Sequence, residues 1–373
     1  MSEDPWIAGA PNMSTVEPLV PPGRAGEHAS APQGGAISTA HGAASHAREG
    51  LVREGILEVP GEITLHHGER LAGVRIAWRL AGPASGAVVC ALGGISANRR
   101  VCGTDDPREG WWSEIAGAGR PLDTDRFRIL SFDFLGGSGE TTGPAPGKPF
   151  PSVSSYDQAE ALLRILNHLG IKALRAIAGG SYGGMVALAF GERYPDRVGH
   201  LLVIGASDRA HPMSTAWRSI QRRIVRLGLE SGRAAPAIEL ARALAMTTYR
   251  SGEEFAARFG AVPSREEDGF VFPVERYLLA RGRDYASRYL PESFLCLSES
   301  IDLHRVDASR VFVPTSSVAV REDQLVPLPD VRGMVARLPA GRLHEISSIY
   351  GHDAFLKETE SLRPIFQSAL GSA

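Results

Sequence analysis

The sequence predicts an α/β fold in which helices cover both faces of a mostly parallel β-sheet. Short apolar runs rich in β-branched residues recur along the chain, and helical patterns lie between several of them. Buried strands that alternate with helices are typical of a parallel sheet. The predicted strands cover residues 74–80, 87–94, 127–136, 174–180, 200–207 and 311–320.

The clearest helical pattern covers residues 154–170, "SSYDQAEALLRILNHLG". Ser155 is the predicted N-terminal cap, because a serine oxygen can accept a hydrogen bond from a free backbone N–H. Gly170 is predicted to end the helix, since glycine readily adopts the left-handed conformation common at helix ends. The predicted apolar face consists of Leu162, Leu163, Ile165, Leu166 and Leu169.

Residues 208–300 interrupt the alternation, because they hold helical patterns with few strand candidates. The sequence therefore predicts an α-helical insertion between two parts of a core, residues 51–207 and 301–373. An insertion at the C-terminal edge of a parallel sheet would cover the crevice where such sheets bind ligands. We expect it to act as a lid.

Residues 1–50 are rich in Pro, Gly, Ala and Ser and contain hardly an aromatic side chain. A segment of this composition cannot bury enough apolar surface to offset the cost of ordering its backbone. It is predicted to be a disordered, low-complexity tail.

Composition excludes several classes of partner. Lys and Arg total 40 against 42 Asp and Glu, so no basic surplus points to nucleic acid. No apolar run approaches the roughly 18 residues of a membrane span, and the acidic start "MSEDPW" is unlike a secretory signal. The three cysteines, Cys90, Cys102 and Cys296, have no metal-binding spacing and favour a reducing compartment. We expect a cytoplasmic protein without a metal site.

One short motif carries the functional signal. The predicted strand "LRAIA" runs into "GGSYGGM", and a helical pattern follows. Strand, Gly-x-Ser-x-Gly and helix form the context of a nucleophile elbow, with Ser181 as the nucleophile. A plain turn with a capping serine is the alternative. A dinucleotide fingerprint is excluded because no Gly-x-Gly-x-x-Gly fits, and a Walker loop is excluded because Gly-Lys-Ser/Thr is missing.

A nucleophilic serine needs a histidine base and a carboxylate that orients it. His352 follows a strand-like run near the end of the chain and is the candidate base. His344 lies inside that run and is predicted to be structural. His211 and His304 would break the usual order of serine, acid and histidine. For the acid, "VAVREDQLVP" leaves two neighbours, Asp323 and Glu322.

An oxyanion hole requires two backbone N–H donors. One is predicted from Tyr182, the residue after the nucleophile. The other is predicted from the loop after the strand in "CALGGIS", around Leu92 to Gly94, with Leu92 as the named donor.

From about residue 64 to the end, the sequence resembles the homoserine O-acyltransferases of the α/β-hydrolase superfamily. The motifs that carry the resemblance include "GWWSEIAGAGRPLDTDRFRIL", "GGSYGGM", "SIQRRIV", "ALAMTTYRSGEEFAARFG", "VAVREDQLVP" and "YGHDAFL". Two stretches depart from the family pattern. Gly180-Ser181-Tyr182 stands where many members have Asn-Ser-Met, and "CALGGIS" stands where they have a stretch like "HALTG".

The resemblance implies specific roles for residues of this chain. It favours Asp323 over Glu322 and gives Ser181, Asp323 and His352 as the catalytic triad. It also implies that Arg222 and Asp353 hold the carboxylate and amine of an amino acid, and that Tyr249 lines a tunnel to the triad.

The implied activity is an amino-acid O-acyltransferase of methionine biosynthesis that works through an acyl-serine in a ping-pong reaction. Its substrates would be homoserine and an acyl-CoA, with no cofactor, and its implied assembly is a homodimer. "RSIQR" resembles the succinyl-transferring branch, and Arg218 could offer a guanidinium fork to the succinyl carboxylate. Acetyl-CoA as donor, serine as acceptor and hydrolysis of small esters remain alternatives.

Overall fold

An eight-stranded sheet organises the chain, as seen in a computed structural model that describes residues 51–103, 110–260, 262–267 and 269–371. The predicted tail, residues 1–50, lies outside the described residues. The strands are β1 (Leu51–Glu58), β2 (Arg75–Gly82), β3 (Val88–Leu92), β4 (Arg128–Phe132), β5 (Ala176–Gly180), β6 (Leu201–Ile204), β7 (Thr315–Val320) and β8 (Gly341–Ile346).

The sheet is mostly parallel, as predicted. Its strand order is β1-β2-β4-β3-β5-β6-β7-β8. Only β2 runs against its neighbours, pairing antiparallel with β1 and with β4. From β4 to β8 the pairs are parallel. All six predicted strands are present. The strand β1 was not predicted, because "LVREGILE" alternates charged with apolar residues directly after the low-complexity stretch.

Ten helices are present in the described part of the chain. Their bounds are α1 (Ser155–His168), α2 (Tyr182–Arg193), α3 (Pro212–Glu230), α4 (Ala234–Tyr249), α5 (Gly252–Phe259), α6 (Pro273–Ala286), α7 (Pro291–Asp302), α8 (Leu328–Val335), α9 (Ala354–Lys357) and α10 (Thr359–Leu370). Three short two-stranded ribbons join residues 62–64 to 70–72, 116–117 to 122–123, and 264–266 to 269–271.

The core forms two apolar layers because successive strand residues point to opposite faces of a sheet. Cys90 and Leu92 of β3 pack in the layer that contains Leu162 of α1. Val89 and Ala91 pack in the opposite layer, which contains Phe366 of α10. A sheet covered on both faces explains why its strands read as continuous apolar runs.

The start of α1 differs from the prediction by one residue. Ser154, and not Ser155, is the cap: its side chain accepts from the backbone N–H of Tyr156, and Asp157 reaches back to the N–H of Ser154. Ser155 also has a capping-box candidate three positions on, Gln158, but the amide of Gln158 pairs with the backbone of Leu135 instead. Ser155 instead contacts His304. The left-handed Gly170 follows the helix, as predicted.

Five helices, α3 to α7, fill the chain between β6 and β7. They agree with the helical patterns in residues 208–300, although one short ribbon interrupts them and α7 continues to Asp302. Their role as a lid and the domain boundaries remain predictions. No helix in the described ranges is both long and apolar enough to cross a membrane.

Candidate active site

Ser181 lies at a sharp turn between β5 and α2. Its backbone angles are φ 54° and ψ −122°, and it is the only non-glycine residue with positive φ among the described residues. Such a conformation is strained for any residue that has a Cβ atom, and it persists where the surroundings enforce it. Backbone hydrogen bonds from Ser181 N to Ile204 O and from Gly184 N to Ser181 O hold the turn.

The small residues around Ser181 are required by close backbone contacts. A Cβ atom at Gly179 would lie 2.2 Å from the carbonyl oxygen of Gly183. One at Gly183 would lie 2.3 Å from the carbonyl oxygen of Leu92, and one at Gly180 would lie 2.5 Å from the ring of Phe355. The glycine run therefore allows the chain to turn sharply and present Ser181.

His352 joins Ser181 to Asp323. Its Nε2 lies 2.8 Å from Ser181 Oγ, and its Nδ1 lies 2.7 Å from Asp323 Oδ2. An ionised carboxylate can only accept, so Nδ1 carries the hydrogen and Nε2 is left to accept from the serine hydroxyl. The three side chains are thus arranged for the serine proton to pass to the histidine.

Asp323 is fixed by its own loop. Its second oxygen, Oδ1, accepts from the backbone N–H groups of Leu325 and Val326 at 2.8 and 3.0 Å. Glu322, the alternative candidate for the acid, instead accepts hydrogen bonds from Ser347 Oγ and from the backbone N–H of Ser348. The structure thus brings Asp323, and not Glu322, to the histidine.

The electrostatic surroundings favour proton uptake by His352. Burial alone would lower its pKa, but the charge and hydrogen bond of Asp323 outweigh that effect, so the pKa lies above its ordinary 6.5. His304 shows the opposite balance. Burial lowers the pKa of His304 to about 3, and this histidine lies between Ser155 Oγ and the carbonyl of Ser207.

The two predicted oxyanion donors lie beside the turn. Tyr182 is the first residue of α2, so its N–H has no acceptor within the helix. Its side chain is buried, with the hydroxyl 2.5 Å from Ser300 Oγ. Leu92 ends β3 with its carbonyl against Gly183, and of the stretch Leu92 to Gly94 only Gly94 lines the cavity at Ser181. The assignment of the second donor stays a prediction.

A cavity of about 210 Å³ opens above Ser181. The catalytic side of its wall comes from the sheet edge and includes Ser181 and His352. The opposite side comes from α3 and α4. Its lining there includes Trp217, Arg218, Gln221, Arg242 and Tyr249.

The two arginines predicted to bind substrate share one carboxylate. Arg218 donates from Nε and Nη2 to Asp302 Oδ1 at 2.9 and 2.6 Å. Arg222 donates from Nη1 to Asp302 Oδ2 at 2.6 Å and to Ser298. Arg218 lines the cavity, whereas Arg222 is not among its lining residues. Both guanidinium groups are therefore engaged by the protein itself.

The other two predicted binding residues line the cavity. Asp353 follows His352 in the sequence, and its Oδ2 accepts from Arg250 Nε at 3.2 Å. The ring of Tyr249 lies 6.2 Å from the ring of His352, and its hydroxyl accepts from Arg242 Nη1 at 3.2 Å. Their proposed roles toward substrate stay predictions.

Asp302 and Arg242 were missed in the sequence. Asp302 is the last residue of α7. It lies 84 residues from Arg218 in the sequence, so no local sequence pattern predicts their pairing. Arg242 lies in "ELARALA", which resembles an ordinary amphipathic helix. Within the described ranges, no three His, Cys, Asp or Glu side chains cluster as metal ligands.

Comparison with known proteins agrees with this geometry. A family model described as the alpha/beta hydrolase fold matches residues 91–359. The chain is 41% identical over 317 residues to a homoserine O-succinyltransferase of Xanthomonas campestris pv. campestris, covering 84% of each chain. It is 33% identical to a serine O-succinyltransferase of Litchfieldella anticariensis, over 83% of this chain and 96% of that one.

Among solved structures, the fold matches homoserine O-acetyltransferase from Bacillus anthracis with a TM-score of 0.78. The match covers 86% of this chain and 98% of that chain, and its 18% identity supports the fold alone. The sequence relatives and the family model together identify the protein family. The chain belongs to the homoserine O-acyltransferase family of the α/β-hydrolase fold.

Proposed function

We propose that this protein transfers a succinyl group from succinyl-CoA to the side-chain hydroxyl of L-homoserine, as an enzyme of methionine biosynthesis. The observation that carries the proposal is the array Ser181, His352 and Asp323 at the floor of a cavity with arginines in its wall. The homoserine O-succinyltransferase relative supports the same choice of donor and acceptor.

In the first half of the proposed reaction, His352 Nε2 takes the proton of Ser181 Oγ. The oxygen attacks the thioester carbonyl carbon, and the negative charge on the carbonyl oxygen turns toward the predicted N–H donors of Tyr182 and Leu92. The C–S bond breaks, and the CoA sulfur leaves with the proton held by His352. The product is an acyl ester on Ser181.

In the second half, the acceptor takes the place of CoA. His352 removes the proton of the homoserine hydroxyl, which attacks the acyl carbon, and Ser181 Oγ leaves and recovers a proton from His352. Water would give hydrolysis by the same route. Transfer therefore depends on the wall formed by α3 and α4 favouring an amino acid over water.

Acetyl-CoA is the second candidate donor, because one observation favours it. Asp302 already accepts from Nε and Nη2 of Arg218, which leaves fewer N–H donors for a succinyl carboxylate. Serine is the corresponding second acceptor, since it differs from homoserine by one methylene, worth only about 1–3 kcal/mol in a pocket.

The test is CoA release from succinyl-CoA and acetyl-CoA, each with homoserine, with serine and without acceptor. We expect sustained release only with an acceptor, and fastest with succinyl-CoA and homoserine. Release that is independent of the acceptor would mean a hydrolase. Ser181→Ala serves as the control for spontaneous thioester loss.

We also propose that two copies associate through an apolar stripe on α3. Met213, Ile220 and Leu227 are spaced by seven residues and are 53%, 51% and 64% exposed. Side chains at this spacing lie on one face of a helix, and a row of large exposed apolar groups indicates a protein contact. The cytoplasm, where free cysteines persist, is the proposed location.

A further inference from the structure

The loop that follows β3, residues 93–97, forms part of the cavity wall beside Ser181 and is called the β3 loop below. Residues 94–97 line the cavity. At its first residue, the loop is held against α2, because the N–H of Gly183 donates to the carbonyl of Gly93 at 2.8 Å. The conformation of the rest of the loop depends on other contacts.

Three consecutive backbone N–H groups of the β3 loop have no acceptor in the part of the chain that the structure describes. They belong to Gly94, Ile95 and Ser96. Backbone donors beside a nucleophile can stabilise the negative charge that develops on a carbonyl oxygen during acyl transfer. The predicted donor Leu92 directly precedes the loop. The aim of these N–H groups therefore depends on how the loop is held.

A tyrosine from the helical insertion contacts the β3 loop. Tyr289 lies between α6 and α7, and its hydroxyl donates to the carbonyl of Ile95 at 2.6 Å. Burial raises the pKa of Tyr289, so the hydroxyl keeps its proton and remains a donor. A trans peptide is planar, and its C=O and N–H groups point in opposite directions. By fixing the carbonyl of Ile95, Tyr289 also fixes the direction of the N–H of Ser96.

The segment that carries Tyr289 is itself anchored to another loop of the core. The backbone N–H of Leu290 donates to Ser138 Oγ at 2.9 Å. The buried Ser293 donates from Oγ to the carbonyl of Gly137 at 3.0 Å. Tyr289 is not among the cavity-lining residues. Its hydroxyl is therefore placed to act on the loop and not on a substrate.

We propose that Tyr289 is a positioning residue whose hydroxyl holds the β3 loop in the conformation that stabilises the oxyanion. This inference rests on the proposed function, in which each half-reaction passes through a negatively charged tetrahedral intermediate on Ser181. The helical insertion then contributes to the chemical step through the backbone of the loop. Because both half-reactions develop the same charge, the effect is equal for every donor and acceptor.

The experiment compares Tyr289→Phe, which removes only the hydroxyl, with Tyr277→Phe. Tyr277 lies on α6, and its hydroxyl has no hydrogen bond among the described residues, so this variant is the matched control. Acylation is measured as CoA release with succinyl-CoA and with acetyl-CoA, and deacylation as loss of the acyl-enzyme on addition of homoserine. Inhibition by n-propylboronic acid is a separate readout, because its adduct with Ser181 Oγ is tetrahedral and anionic like the intermediate.

We expect Tyr289→Phe to slow both half-reactions about tenfold with both donors, which is less than the roughly 10²–10³-fold loss on removal of an oxyanion donor itself. The KM for each substrate should change less than about threefold, because the hydroxyl contacts no substrate. The inhibition constant of n-propylboronic acid should rise by about the factor by which the rates fall. Tyr277→Phe should match the wild type in all of these measurements.

Three results would overturn the inference: unchanged rates in folded Tyr289→Phe, a loss confined to one donor or one half-reaction, or slower transfer with unchanged inhibition by the boronic acid. A KM effect alone would assign Tyr289 to substrate fit and would also overturn it. Failure of the wild-type protein to transfer an acyl group from either CoA thioester would instead contradict the proposed function. The role of Tyr289 would then be measured on hydrolysis of p-nitrophenyl acetate at Ser181, with the same expected loss.

Discussion

The sheet edge and the facing helices hold their polar groups in different ways. At the sheet edge, Ser181 and Asp323 are fixed by their own neighbours in the chain: glycines surround Ser181, and the N–H groups two and three residues on hold Asp323. His352 is oriented by Asp323, which lies 29 residues away in the sequence. Across the cavity, Arg218 is fixed by Asp302, a partner 84 residues away. The turn at Ser181 and the loop of Asp323 are therefore encoded locally, whereas the arginines of the facing wall are held by long-range side-chain pairs.

This contrast has a consequence for substitutions. A change at the sheet edge should affect every substrate alike, because all of them are expected to react at Ser181. A change in the wall of α3 and α4 should affect substrates selectively, because it alters which acyl group or acceptor fits. The variants below test this division, from the largest expected effect to the smallest.

The largest effect should come from the two adjacent acids. Asp323→Asn removes the charge that orients His352 and is expected to lower acyl transfer on the order of 10⁴-fold, as loss of an orienting carboxylate does in serine triads. Glu322→Gln is the matched control and should lose less than about tenfold, since its carboxylate contacts Ser347 and Ser348 instead. The measurement is the steady-state turnover of each variant with succinyl-CoA and with acetyl-CoA. Equal losses in the two variants would contradict the local encoding of the triad.

A smaller and selective effect is expected from Arg218→Leu. If Arg218 contributes to succinyl recognition, use of succinyl-CoA should fall about tenfold to a hundredfold while use of acetyl-CoA is spared or raised. The ratio of kcat/KM for the two donors is the measurement, with exposed Arg226→Leu as control. A parallel fall for both donors would mean that Arg218 supports the wall through Asp302 and does not read the acyl group.

A stability effect is expected from His304, which is buried outside the cavity lining and contacts Ser155 and Ser207. Its folded pKa, about 3, is below the ordinary 6.5, so the unfolded chain binds a proton that the folded chain rejects. Its contribution is present above pH 6.5 and is lost as the pH falls toward 3, by about 1.4 kcal/mol of unfolding free energy per pH unit. Chemical denaturation at several pH values should show a shallower loss for His304→Asn. If the free energy of unfolding changed with pH equally in the wild type and in His304→Asn, His304 would not be the source of the pH dependence.

The smallest effect is expected from truncation. Removing residues 1–50 should leave the melting temperature and turnover nearly unchanged, because their composition provides no apolar core. Removing residues 1–58 also deletes β1, which pairs with β2 along its whole length, and should lower the melting temperature by several degrees. Thermal unfolding of both truncations makes the comparison. A marked drop in melting temperature on removal of residues 1–50 alone would show that the tail contributes to the fold.

The sequence was sufficient wherever structure depends on near neighbours. The elbow at Ser181 could be predicted because strand, glycine spacing and helix are contiguous, and the parallel sheet followed from its apolar runs. The choice between Asp323 and Glu322 was not decided by the residues themselves, because both follow the same strand. It required the resemblance to a known family.

Other features could not be predicted, for identifiable physical reasons. Ser154 and Ser155 are both plausible caps until the capping box with Asp157 is seen. The pairing of Arg218 with Asp302 depends on how α3 packs against α7. The position of Arg242 between two tyrosine rings depends on α4 packing beside α6. Helical periodicity predicts which face of a helix is apolar, but it does not predict which element packs against that face.

The central claim is that Ser181 carries the acyl group between donor and acceptor. Its most direct test is intact-protein mass measurement after succinyl-CoA is added without any acceptor, followed by peptide mapping. The account predicts one added succinyl group on the peptide that contains Ser181, its removal by homoserine, and no adduct in Ser181→Ala. An adduct on another residue, or acyl transfer by Ser181→Ala within tenfold of the wild-type rate, would contradict it.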